Sequence, residues 1–340
     1  MLPPKIVRRL VLAPAMVLLA LVAVTAAPVW LILLTAVSPL VPWGRWRLLR
    51  VGWLVLLHLL LEAGILLALF VLWVLSGFGW WMRRPAFERT HYDIVQFYLN
   101  VLFREARRVL GVHVEVEGPA PSSYEGRPLL VFCRHAGPGD SFLLIHALVN
   151  WYDREPRIVL KDTLQWDPAI DVLLGRLPTR FIRPKRGDGD ALVRQIGDLA
   201  TGLDHDDAFV IFPEGGNFTR RRQARAIARL REKGLIDAAE RAQRLRHVLP
   251  PHPGGVSAAL RAAPDADVVW VAHTGTDHLM SVADVWRALP LDQTIRMRWW
   301  QVPADEVPES DADRLVWLQD WWVRIDDWID EHRTVPVPEA

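Results

Sequence analysis

Two apolar runs near the start of the chain, Leu10 to Val37 and Val51 to Leu75, constrain its fold before anything else does. Each is long enough to cross a hydrocarbon core of about 30 Å as a helix. The first is interrupted by Pro14 and Pro28, and the second carries His58 and Glu62 as its polar side chains. These two lie four apart on one helix face and are expected to satisfy each other against the first helix. The connection holds Trp43 and Trp46 with Arg45, Arg47 and Arg50, and Trp80, Trp81, Arg83 and Arg84 follow the second run. Aromatic and basic residues at the ends of apolar runs are interfacial anchors, so residues 1–84 read as a two-helix membrane anchor. Lys5, Arg8, Arg9, Arg83, Arg84 and Arg89 flank the pair, against the three Arg of the connection. That bias places the rest of the chain on the cytoplasmic face of the cell membrane, whether the runs span or form a re-entrant hairpin. Val24-Thr25-Ala26 resembles a signal-peptide cleavage site after a basic start. The apolar stretch continues well past it, beyond an ordinary signal core.

Composition agrees with a membrane-bound part: 51% of the 340 residues are hydrophobic. The net charge of +1 implies no partner by bulk charge, and no nucleic-acid partner is expected. The lone Cys133 excludes a disulfide framework and a Cys-based metal site.

From Arg84 onward the periodicity changes. Asp93 to Leu110 has helical spacing and His113 to Glu117 alternates as a strand. Short apolar strands at Leu129–Phe132, Arg157–Leu160, Ala208–Phe212 and Val268–Val271 alternate with helical stretches at Phe142–Val149, Pro168–Leu174 and Ala191–Leu203. Arg220 to Arg246 reads as a long basic helix or helix pair. The pattern predicts an α/β fold, a mixed sheet with helical cover, over residues 85–310. In residues 311–340, Leu315, Leu318, Trp322, Ile325 and Ile329 form one stripe of an amphipathic helix packed on the domain, with Trp321 and Trp328 beside it.

The residues that carry chemistry stand at strand ends. The strand Leu129–Phe132 runs through Cys133 and Arg134 into His135; Ala136-Gly137-Pro138-Gly139 is turn chemistry, and Asp140 and Ser141 are cap types for the next helix. His135 and Asp140 thus sit at opposite ends of one tight connection, where the carboxylate can hold the imidazole in one tautomer while it takes a proton. A loop His bonded to a helix cap is the bland alternative, and context decides between them. Phe181-Ile182-Arg183 comes next, and then a strand running into Phe212-Pro213-Glu214-Gly215-Gly216.

In that order, the three blocks resemble the glycerolipid acyltransferase family, whose best-known members make phosphatidic acid from 1-acylglycerol-3-phosphate. The resemblance covers roughly residues 85–305. Within it, Lys161 with Leu164 before Pro168, the stretch His247 to Gly255, and the late Val-Pro and Trp pattern resemble the lysocardiolipin and lysophosphatidylinositol acyltransferase branch. There are departures. Arg134 and Gly137 stand where the family usually has Asn and Ser, and Gly216-Asn217 stands for its Thr-Arg. The fourth block is degenerate at Trp270 to Thr274.

The resemblance implies a glycerol-3-phosphate acyltransferase-like domain that moves a fatty acyl group from a thioester to the free hydroxyl of a lysophospholipid. The implied roles are His135 as general base and Asp140 as its orienter, with Arg183, Glu214, Gly215, Gly216 and Lys161 binding substrate. Glu214 either orders its loop or meets the acceptor's head group. Amides near Gly137 to Gly139, or at Gly215 and Gly216, are candidates for the oxyanion. No metal or bound cofactor is implied; acyl-CoA or an acyl carrier protein thioester is a co-substrate, and membrane lipids are the partners. Cys133 shares a strand face with His135, so a Cys-His nucleophilic pair is a rival, and a small core residue is its alternative. The basic segment 220–246 suits a membrane surface or the phosphates of coenzyme A, or is a solvated face. The alternative function is a catalytically weak lipid-binding or accessory protein on the same fold. A lipid hydrolase lacks its Gly-x-Ser-x-Gly elbow here.

Overall fold

The computed structural model describes residues 2–41, 46–124, 126–137, 139–183, 189–279 and 282–333. Trp43 and Arg45 of the expected interfacial anchors and Pro138 of the turn lie outside them. The helices are α1 (Lys5–Val7), α2 (Ala13–Thr25), α3 (Ala27–Val37), α4 (Arg47–Leu75), α5 (Pro85–Leu110), α6 (Asp140–Asn150), α7 (Pro168–Leu174), α8 (Gly189–Ala200), α9 (Arg220–Glu232), α10 (Ile236–Arg244), α11 (Pro253–Ala262), α12 (Val282–Ala288) and α13 (Asp311–His332). The strands are β1 (His113–Glu117), β2 (Leu129–Cys133), β3 (Glu155–Lys161), β4 (Thr179–Ile182), β5 (Asp207–Ile211), β6 (Asp267–Thr274) and β7 (Thr294–Val302). The expected elements are present within a few residues. β4, β7, α11 and α12 are additions, and α5 begins eight residues before the expected Asp93.

The chain divides into two compact units, residues 1–112 with 159–183 and 286–292, and residues 113–158 with 184–285 and 293–340. The division is discontinuous, whereas the sequence suggested contiguous segments 1–84, 85–310 and 311–340. α5 joins the apolar helices before it, and α13 joins the sheet-bearing unit.

In the first unit, Lys5–Thr25 and Arg47–Leu75 are long and apolar enough to cross a membrane. Pro28, at the start of α3, separates it from α2, because a proline inside a helix removes a hydrogen bond and clashes with the preceding turn. Gly52 of α4 lets the helices approach: a Cβ there would stand 2.4 Å from Leu34 Cδ1. α4 packs against α2, α3, α5 and α7. Arg50 donates to the Val109 carbonyl, and Trp53 Nε1 donates to Glu105 at 3.1 Å. Arg176, in the same unit, donates to the Leu69 carbonyl at 2.9 Å. At the N-terminal end Arg8 pairs with Asp171 at 2.7 Å, both buried. Glu62 does not close a pair with His58 alone: ligand atoms of His58, Glu62 and Asp167 lie within 4.8 Å of one another. Among the described residues these are donors of a metal-binding kind, although their mutual contact requires no ion.

The second unit holds the strands in the order β1-β7-β6-β2-β5-β3, with the first four residues of β3 belonging to it. β2 pairs parallel with β5 and with β6, and β6 pairs antiparallel with β7, so the sheet is mixed as expected. All five residues of β2 and all five of β5 are buried. Such continuous apolar runs belong to strands covered on both faces. Phe132 and Trp270 are fully buried with ring centroids 5.0 Å apart, and burial of each contributes about 1.5–3 kcal/mol. Trp321 of α13 stacks on Trp270 at 5.4 Å, and Trp322 Nε1 donates to the Leu249 carbonyl at 2.8 Å. Leu318, Trp322, Ile325 and Ile329 are buried as the stripe predicts; Leu315 is 40% exposed.

Candidate active site

β2, β5 and β6 are neighbours and run the same way. The segments that follow them therefore leave the sheet at one edge, beyond the carboxyl ends of the strands, where open α/β sheets bind ligands. Register makes this concrete: Phe132 is opposite Ile211, and Cys133 opposite Val271. His135, Glu214 and His273 come together for that reason.

Asp140 is the first residue of α6. Its Oδ2 accepts the Ala136 and Gly137 amides, each at 2.5 Å, so the carboxylate closes the turn. The same oxygen lies 3.5 Å from His135 Nδ1 and 3.6 Å from His273 Nε2. The first is an ion-pair distance rather than a closed hydrogen bond, and His135 Nδ1 is a buried nitrogen without a partner among the described residues. Burial pushes the Asp140 carboxyl up, but His273, His135, the Gly137 amide and Arg134 outweigh it and hold it below the ordinary range. Asp140 is therefore ionised at neutral pH, as an orienter must be. With Nδ1 turned to Asp140, Nε2 of His135 is left for a substrate.

Glu214 fixes the backbone of the same histidine. Its Oε1 accepts the His135 amide at 2.6 Å, and its Oε2 accepts the Leu249 amide at 2.7 Å. Burial pushes its carboxyl up to about 8, against the opposing pull of Arg134 and those amides. Of the two roles expected for Glu214, this geometry supports ordering the loop. Gly215 has φ +65°, and a Cβ would stand 3.3 Å from His252 Cδ2, so glycine suits both the conformation and the space. Its amide donates to the Phe212 carbonyl at 3.0 Å. The Gly137 and Gly215 amides are thus engaged, which leaves Gly139 and Gly216 of the oxyanion candidates.

Arg134, in the family's Asn position, is 1% exposed. Its guanidinium donates to Asp277 at 2.5 Å, to the His273 carbonyl at 2.7 Å and to the His247 carbonyl at 3.1 Å. Asp277 also accepts from the Thr274 hydroxyl at 2.7 Å. Sequence reasoning missed Asp277 and the approach of His273 to Asp140. The available signal was Arg134 itself, since an arginine ending a buried strand requires a counter-charge.

Lys161 ends β3 and Arg183 follows β4, both in the first unit. Arg183 Nε donates to Asp162 there. His135, Asp140, Glu214, Gly215 and Gly216 all belong to the second unit.

Cys133 is fully buried, and burial with the nearby Asp140 charge pushes its thiol well up. Its S–H donates to the Arg134 carbonyl at 3.2 Å. A buried thiol that stays protonated is inert. Cys133→Ser is therefore expected to keep near-wild-type transfer and to leave no acyl-protein adduct to lose. A hydroxylamine-sensitive adduct on wild type that vanishes in the variant would make Cys133 a nucleophile.

Residues 113–274 match the family model described as Acyltransferase. A comparison with curated proteins finds no match. Among solved structures, the 1-acyl-sn-glycerophosphate acyltransferase PlsC from Thermotoga maritima is 15% identical, with a TM-score of 0.45, covering 79% of this chain and 98% of that one. The matched stretch, just under half of the chain, carries the His-x4-Asp and Phe-Pro-Glu-Gly blocks, and its likeness is to acyltransferases.

Proposed function

We propose that this protein transfers a fatty acyl group from acyl-CoA or an acyl carrier protein thioester to the free hydroxyl of a lysophospholipid. The observation that carries the reading is His135 at the end of a buried parallel strand, its Nδ1 3.5 Å from a carboxylate kept ionised. An alcohol is a poor nucleophile at neutral pH, so its proton must be taken as it attacks. His135 Nε2 takes that proton, and the hydroxyl oxygen adds to the thioester carbonyl. Asp140 steadies the imidazolium. The tetrahedral intermediate collapses by expelling the thiolate, and the proton held on His135 goes to the sulfur. The amides of Gly139 and Gly216 are the remaining candidates to face the oxyanion.

The proposed acceptor is a membrane lipid, which fits the two apolar helices. The first unit lies along the interface on this reading rather than crossing the bilayer. The α5 helix that packs against α4 carries Arg104, Glu105, Arg107 and Arg108, and charges at the bilayer centre cost about 2.5 kcal/mol or more each. The basic flanks favour the cytoplasmic face.

Labelled acyl-CoA incubated with the purified full chain and a panel of lysophospholipids tests the reading; no labelled diacyl product from any acceptor overturns it. In the same assay Arg183, proposed to bind the acceptor's phosphate, has a separate outcome. Arg183→Ala is expected to raise the acceptor KM far more than the donor KM, with kcat/KM lower by roughly ten- to a hundredfold, the size of one lost charge-assisted contact. Arg183→Lys keeps the charge without the planar fork and restores only part. An unchanged acceptor KM in Arg183→Ala removes that residue from the site. Because Asn217 replaces the family's second Arg, lysophosphatidic acid is not expected to be strongly preferred over acceptors with larger head groups.

A further inference from the structure

Behind the Phe-Pro-Glu-Gly turn the arginine-rich segment folds as a helical hairpin, α9 and α10, within the second unit. Thr219 caps α9 by accepting the Arg222 amide at 3.1 Å. Gly234, at φ +72°, ends it, and the Leu235 amide turns back to the Leu230 carbonyl at 3.0 Å. The two helices close on small or buried side chains. Ala239 and Ala242 are buried, and the buried Gln223 amide donates to the Ala242 and Leu245 carbonyls. That closure uses up the inward face and leaves two features outside. Leu235 and Ile236, at the tip, are 50% and 51% exposed. The outward face is basic: Arg221, Arg225, Arg229, Arg231, Lys233, Arg241 and Arg244 are all exposed, whereas Glu232, Asp237 and Glu240 are the acids of the whole segment 220–246. Arg246 is committed to Asp326, Asp327 and Asp330. None of those seven exposed basic residues has an acidic partner among the described ion pairs.

An exposed aliphatic pair on a water-facing tip has no internal reason, since single exposed leucines are ordinary but a pair set among uncompensated cations is not. We propose that the hairpin tip docks on an anionic phospholipid bilayer, with Leu235 and Ile236 entering the headgroup boundary and the surrounding arginines and Lys233 meeting lipid phosphates. Interfacial helical segments bind by this pairing of buried apolar area with attraction to anionic lipid. The phosphates of coenzyme A would use the charge but give the apolar tip nothing to do. The inference rests on the proposed action on membrane lipids, but its test measures no acyl transfer, so either can fail alone.

The full chain with Leu235→Cys, labelled there with an environment-sensitive fluorophore, is reconstituted in phosphatidylcholine vesicles and in vesicles made anionic with phosphatidylglycerol. Cys133 is fully buried and does not compete for label. The expected result is a blue-shifted emission, quenched by a lipid-borne nitroxide, in the anionic vesicles and not in the neutral ones. High salt should weaken it, because exposed charges are screened. Arg225→Glu, Arg229→Glu and Lys233→Glu should each lower the docked fraction's ratio to free by about fivefold or more. No quenching in anionic vesicles, or equal quenching in neutral ones, overturns the proposal. So does a spectral response to free coenzyme A without lipid quenching, which would assign the arginines to that ligand. The comparison of vesicles needs only an exposed substitution, so it does not depend on the charge-reversed variants folding.

Discussion

Replacing His135 by Ala is expected to lower acyl transfer by roughly a hundred- to ten-thousandfold, the range one positioned base supplies, and to leave the fold intact. His135 is held from two sides that the substitution does not touch. Its backbone amide donates to Glu214, and its carbonyl accepts the Phe218 amide at 3.1 Å. Both bonds survive in alanine. What is lost is the ring proposed as the base, which rests against Phe212 at 4.8 Å. Asp140→Asn is expected to fall in the same range by a different route. The amide can still accept from Ala136 and Gly137 through its oxygen, so the turn persists, but the charge that steadies the imidazolium is gone. Circular dichroism and thermal unfolding should match wild type for His135→Ala while turnover with labelled acyl-CoA collapses. Activity above a tenth of wild type in either variant would remove the base-orienter assignment.

The sequence made the first half of this site legible because it is local. His135 and Asp140 are five residues apart across one turn, and the turn types Gly, Pro and Asp announce it. The strand before it reads directly from four consecutive apolar residues. The Phe-Pro-Glu-Gly turn is local in the same sense. What sequence could not give is pairing across the sheet. β7 carries Thr294, Arg296, Arg298 and Gln301 among its apolar residues, and its antiparallel match to β6 is fixed by packing partners far away in the chain. Arg134 looked like a departure from a family pattern, because its counter-charge, Asp277, lies 143 residues on. His273 sat in a block that looked degenerate, yet parallel pairing of β6 with β2 carries it to Asp140. For Glu214, contact with the loop became visible only with both oxygens on backbone amides. The discontinuous first unit escaped reading for the same physical reason: nothing local to residues 159–183 or 286–292 says which helices they pack on.

Arg134→Ala should destabilise the protein more than His135→Ala or Asp140→Asn. The guanidinium is 1% exposed, and Asp277, 2.5 Å away, has a side chain 14% exposed. Removing one partner of a buried pair leaves the other charge without compensation and costs about 3–5 kcal/mol. For a unit of this size that is a fall of roughly 6–20 °C in the unfolding midpoint. The pH dependence carries a sign that separates this cause from mere loss of packing. Burial raises the Asp277 carboxyl, but Arg134 and the Thr274 hydroxyl overcome it and hold it well below the ordinary carboxylate range. In wild type the pair therefore contributes stability that is present above a pH of about 4 and lost as pH falls from there toward the depressed folded value. In Arg134→Ala the carboxyl is buried without its partner and is relieved by protonation. The midpoint gap between wild type and variant should accordingly narrow on acidification below pH about 5, and a packing defect would leave it constant. Asp277→Ala strands the guanidinium instead, with the His273 and His247 carbonyls as its remaining acceptors. The double replacement Arg134→Met with Asp277→Leu removes both charges and should recover most of the loss. A double-mutant cycle in detergent-solubilised full chain measures the coupling. A midpoint change below about 2 °C in Arg134→Ala, or a gap that does not respond to pH, would mean that this ion pair does not hold the strand end on which His135 stands.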